Sequence, residues 1–161
     1  MKTDFLSNIV SILNMPSAID VKISKLRKIK TRTKGQNQIV LSAIIELLSE
    51  YTLPLNIDDS FSIYSLDNIT SKEYEVLLDI VKLSSFRFFN AICLDLLWEH
   101  YHNIDFANEA LEAYFDVLQT ENDNYTQTAI VSSICRIYAK TKSNKFNTAI
   151  TFNCSLASAN N

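Results

Sequence analysis

A chain of 161 residues with 47% hydrophobic content can bury a core of its own, about 70% of the surface its unfolded form would expose. Its only glycine, Gly35, leaves few ways to make tight β-turns or phosphate-cradling loops, which depend on positive φ, and so argues against turn-rich β folds and glycine-loop nucleotide sites. The formal net charge of −3 conceals a division: residues 1–34 hold eight basic and two acidic side chains, residues 35–161 seven basic and sixteen acidic.

Apolar spacing predicts seven or eight helices in one all-α domain over 1–161, built of antiparallel helix pairs in the manner of tetratricopeptide or HEAT repeats. The first runs from about Thr3 to Leu13 with Phe5, Ile9, Ile12 and Leu13 inward, and Pro16 ends it. Asp4, Ser7, Asn8, Ser11 and Asn14 interrupt its apolar run, so it reads as an amphipathic helix and not as a secretion signal. The second, about Ser17 to Ile29, sets Ile19, Ile23 and Leu26 on one face and is basic elsewhere. Gly35 punctuates a polar stretch before a third helix, about Asn37 to Tyr51, whose stripe is Val40, Ile44, Leu47, Leu48 and Tyr51. Ile39 and Ile45 lie off that stripe, which predicts cover on more than one side.

Between 52 and 69 the period changes to two, as a small β-hairpin or an ordered extended loop would require. Thr70 and Glu73 have capping-box spacing and start a helix with Tyr74, Leu77, Leu78 and Val81 inward. Phe86 to His102 is the densest apolar segment and reads as the central helix. A cap at Asn103 to Asp105 then opens a helix with Ala107, Ala110, Leu111, Tyr114, Val117 and Leu118 on one stripe, so close in sequence that the two must pack antiparallel. A seventh helix follows Asn122 to Asn124 and presents Ile130, Ile134, Ile137 and Tyr138. A last amphipathic segment runs from Lys145 to about Leu156.

The segment LDLLWEHYHNIDFANEALEAYF resembles a tetratricopeptide unit through Leu94, Leu97, Tyr101, Ala110 and Tyr114. From about Ser84 to Lys145 the chain is also similar to the helical N-terminal domain of large bacterial proteins with a HEPN-like C-terminal region. Arg87, Asp95, Trp98, Ala107, Ala110, Tyr114 and Arg136 match that group's pattern in order. The resemblance implies a scaffold part of a host-defence or abortive-infection-type system, and this chain would then be the N-terminal module of a larger protein. HEPN ribonuclease chemistry needs an Arg and a His a few residues apart. Arg87 and His100 are thirteen apart, so the nuclease half is missing.

Catalytic constellations find no support in the inventory. There is no P-loop, dinucleotide fingerprint or nucleophile elbow. His100 and His102 cannot face one another on a helix, and Cys93 lies roughly 10 Å from His100 along the axis, too far for a shared zinc. No cofactor is expected, and no segment has the length of uncharged apolar sequence that a membrane span needs. Cys93, Cys135 and Cys154 lack metal-ligand spacing and read as buried free thiols in a reducing, cytoplasmic setting.

Two features carry the functional expectation. Lys22, Lys25, Arg27, Lys28, Lys30, Arg32 and Lys34 fall in thirteen residues without a carboxylate. They form a solvated face, a dock for an acidic partner, or an RNA footprint over 22–34. A DNA-reading helix-turn-helix does not fit, because the helix that would enter the groove is apolar and mildly acidic. Asp95, inside the most apolar helix, must find a cation such as Arg87 or Arg136, and the helix order favours Arg136. The expectation is therefore a non-catalytic protein-interaction or regulatory scaffold, with RNA binding as the competing class.

Overall fold

A computed structural model describes residues 2–49 and 69–141; the expected hairpin, the last amphipathic segment and Cys154 lie outside the described residues. Seven helices are present among the described residues: α1 Lys2–Asn14, α2 Ile19–Lys30, α3 Gln36–Ser49, α4 Ser71–Leu83, α5 Arg87–Tyr101, α6 Ile104–Thr120 and α7 Asn124–Thr141. The all-α class expected from the periodicity is what is observed. The chain divides into two compact units, with the division inside α5 between Phe89 and Asn90.

In the first unit α1 packs on α2 and α4, and α3 packs on the same two helices, so the four close a ring of contacts around one core. Ile9, Leu13, Leu26, Val40, Leu41, Ile44, Leu48, Leu77 and Ile80 are all but inaccessible there. Leu41, Ala43 and Ile45 are buried beside the expected stripe of α3, which confirms cover on more than one side. In α4 the buried apolar positions are Leu77 and Ile80, while Tyr74, Leu78 and Val81 are half-buried. The inward face is therefore rotated slightly from the one the spacing suggests.

Local chemistry sets where these helices begin. Thr70 and Glu73 form the expected capping box, the Glu73 carboxylate accepting the Thr70 backbone N–H at 2.9 Å. Burial raises the Glu73 pKa, but hydrogen bonds from Thr70 outweigh it and hold the carboxyl below its ordinary value. Gly35 has φ +66° and its carbonyl accepts the N–H groups of Gln38 and Ile39, so it turns the chain into α3 in a conformation that costs other residues about 1 kcal/mol.

The second unit contains most of α5 together with α6 and α7. Phe89, at the division, and Ala91, Cys93 and Leu97 are fully buried on α5, as are Ala107, Ala110, Leu111 and Tyr114 on α6 and Ile130, Ile134 and Ile137 on α7. His102 terminates α5 with φ 53° and donates its backbone N–H to Trp98 at 2.8 Å. Asn103 caps α6 by accepting the Asp105 N–H at 2.9 Å, and Asp123 caps α7 by accepting the Thr126 N–H at 2.8 Å.

Candidate functional site

The basic run divides into two populations once its side chains are placed. Lys25, Arg27, Lys28, Arg32 and Lys34 are exposed, and Lys30 is half-buried. None of the six forms an ion pair among the described residues. Lys22 is different. Only 2% exposed, it is no part of any outer surface, which corrects its inclusion in the candidate partner or nucleic-acid face.

The Lys22 ammonium donates to the carbonyls of Leu13 at 2.9 Å, Ile12 at 3.4 Å and Met15, at and just beyond the end of α1, where Ile12 and Met15 also accept the backbone N–H groups of Met15 and Ser17. Its nitrogen also lies 4.6 Å from the centre of the Phe86 ring, in the connection before α5. Three donors thus meet three acceptors at the negative end of a helix, where a cation is favoured. Burial lowers the Lys22 pKa from its ordinary value. The carbonyls and ring act the other way, stabilising the charged form. A second tie fixes the same corner, the Ser85 N–H donating to Asn14 Oδ1 at 2.8 Å.

One face of α2 lines a groove of about 440 Å³ through Asp20, Ile23, Ser24, Arg27, Lys28 and Thr31. These positions follow i, i+3, i+4, i+7, i+8 and i+11, the period of a helix surface. Ser49, the last residue of α3, completes the lining. On the neighbouring strip of α2, Val21 is 40% exposed one turn before Lys25. The surface therefore mixes cations, hydroxyls, one carboxylate and aliphatic carbon.

The other expected feature is Asp95. It receives Arg136 from α7 and the Tyr114 hydroxyl from α6, the latter donating to Asp95 Oδ2 at 2.9 Å. Arg136 extends to Glu99 Oε1 at 2.6 Å, where Lys140 joins at 3.0 Å. Arg87 stands exposed at the first position of α5, two helical turns before Asp95. Burial pushes the Asp95 carboxyl above its ordinary range, and the hydrogen bonds and charge of Arg136 with Tyr114 offset this only in part. Arg136 itself loses solvation but is held more firmly protonated by Asp95.

Three residues that carry the HEPN-linked resemblance, Asp95, Tyr114 and Arg136, thus meet in one network whose geometry is that of helix-to-helix fastening. Asp95 Oδ1 and Trp98 Nε1 are buried without a hydrogen bond. No group of three metal-ligating side chains occurs among the described residues, and no described helix is long and apolar enough to cross a membrane. Cys93 is a free, fully buried thiol whose pKa burial raises strongly. Cys135 is disulfide-bonded, which corrects the expectation of free thiols throughout. No family model, curated protein or solved structure matches the chain.

Proposed function

We propose that this chain is a non-catalytic interaction module that docks an acidic protein segment through the outer face of α2 and the loop leading to α3. A single observation carries the reading: Lys25, Arg27, Lys28, Arg32 and Lys34 are exposed within ten residues and none is neutralised by a carboxylate among the described residues. Such a cluster repels itself, and an anionic partner relieves that repulsion while steering encounter. The helical-repeat-like pairing would serve as the scaffold, and the resemblance over 84–145 would place the partner in a host-defence-type assembly.

Protein is favoured over RNA on two counts. The region 19–40 contains no aromatic side chain on which a base could stack. Val21 and Ile23 offer aliphatic contact of the kind protein interfaces use.

The test is fluorescence anisotropy with a labelled oligoglutamate and a labelled oligouridine of equal length, at low and at moderate salt. The expected result is salt-sensitive binding of oligoglutamate, abolished when Lys25, Arg27, Lys28, Arg32 and Lys34 are all replaced by Gln. Absence of oligoglutamate binding would overturn the proposal. So would stronger binding of oligouridine, which would assign the surface to nucleic acid.

A further inference from the structure

We infer that the α2 groove is a dipolar peptide site, which takes an extended segment bearing a cationic side chain at one end and carboxylates at the other. This rests on the proposal above that the α2 face docks acidic protein, and it adds which peptides fit. The groove's charges are ordered along the helix: Asp20 at the beginning, uncharged Ile23 and Ser24 between, then Arg27 and Lys28 with the Thr31 hydroxyl beyond. No carboxylate among the described residues pairs with the two cations, and Asp20 has no cationic partner among them either.

The five-residue connection between α2 and α3 makes the two helices antiparallel, so Ser49 at the end of α3 lies toward the Asp20 end of the groove. One end of the groove is negative and the other positive. A uniformly acidic peptide satisfies only the second.

Length follows from helix geometry. Asp20 and Lys28 are eight residues apart, about 12 Å along the axis. At about 3.3 Å per residue an extended peptide covers that span in roughly four residues. A fitting sequence has Arg or Lys, then small or aliphatic residues over Ile23, then Glu or Asp reaching Arg27 and Lys28. A volume of about 440 Å³ lies within the ~300–1,000 Å³ typical of small-ligand sites, and suits a short segment better than a whole docked helix.

The experiment is a double-mutant cycle on the full chain, read by amide chemical shifts at low salt. The probes are acetyl-Arg-Ala-Val-Ala-Glu-Glu-amide and the same peptide with Ala in place of Arg. Asp20 is exposed and makes no ion pair among the described residues, so Asp20→Asn keeps the fold intact. The expected shifts cluster on Ser24, Arg27, Lys28, Thr31 and Ser49, with the Arg-containing peptide binding about threefold tighter to the native chain and equally with its Ala analogue to Asp20→Asn. Equal binding of both peptides to the native chain, or an unchanged preference in Asp20→Asn, would overturn the inference. If oligoglutamate still binds in a manner dependent on the five basic residues, that result removes the dipolar site and leaves the acidic-partner reading in place. Loss of oligoglutamate binding removes both.

Discussion

Apart from the capping Glu73, each unit buries one charged side chain among the described residues, and the two are satisfied by opposite means. Lys22 in the first unit is met by backbone carbonyls and an aromatic face; Asp95 in the second is met by side chains, a guanidinium and a phenol. Carbonyls at a helix end exist whatever the sequence, so nothing in the residue types announces that Lys22 belongs with Ile12, Leu13 and Met15. A guanidinium has to be encoded. The difference shows which kind of buried charge can be read from a sequence: one whose partners are themselves distinctive residues.

Removing each charge in turn should have the largest effects. Lys22→Met retains the aliphatic stem but leaves the Leu13 carbonyl without a donor and removes the charge-assisted bonds to Ile12 and Met15, which keep the N–H groups of Met15 and Ser17, for an expected loss of about 3 kcal/mol in urea denaturation. A loss below about 1 kcal/mol would mean that the Leu13 carbonyl finds another donor, and the contrast with Asp95 would fail. Asp95→Ala should cost about 2–3 kcal/mol by removing the acceptor of the buried Tyr114 hydroxyl and opening a void. Asp95→Asn, which can still accept from Tyr114 and Arg136, should cost under about 1 kcal/mol, because burial already disfavours the ionised carboxylate. Equal losses for Ala and Asn would show that the charge, and not the hydrogen bonding, holds α5 to α6 and α7.

Much of the fold was legible because it depends on spacing. The order of the helices, the Thr70–Glu73 start and the Asn103 cap follow from patterns that local chemistry enforces. The Asp95–Arg136 pair was legible because a carboxylate in an apolar helix needs a cation and few were on offer. Three things were not. Lys22 looked like its basic neighbours, since its burial depends on how the turn after α1 brings Met15 back over α2. The slight rotation of α4 depends on packing against α1 and α3. The groove needs Ser49, which is 29 residues from Asp20 in sequence and beside it only in the folded chain.

Acid separates two buried carboxyls by a smaller effect. Glu73 has a depressed pKa, so its contribution is present above the ordinary glutamate range and disappears as pH falls through the folded value. Asp95 has a raised pKa and the opposite sign: its contribution grows as pH falls through the raised value toward the ordinary aspartate range. Stability measured from pH 7 to pH 4 should therefore fall less steeply for Glu73→Gln than for the native chain, and more steeply for Asp95→Asn. Matching slopes for the two variants would contradict both assignments. The smallest expected change is at His102, where Gly relieves the positive φ; His102→Gly should gain about 0.5 kcal/mol, seen as a raised Tm.

The sequestration of Lys22 has a practical consequence for chemical labelling. An amine-directed acylating reagent added to the folded chain reaches Lys25, Lys28 and Lys34 at once, whereas Lys22 reacts only when the corner formed by the end of α1, the start of α2 and Phe86 comes apart. Its rate of modification, followed by mass spectrometry beside that of Lys25 three residues away, is thus a clock for the opening of the first unit. The neighbouring lysine serves as an internal standard.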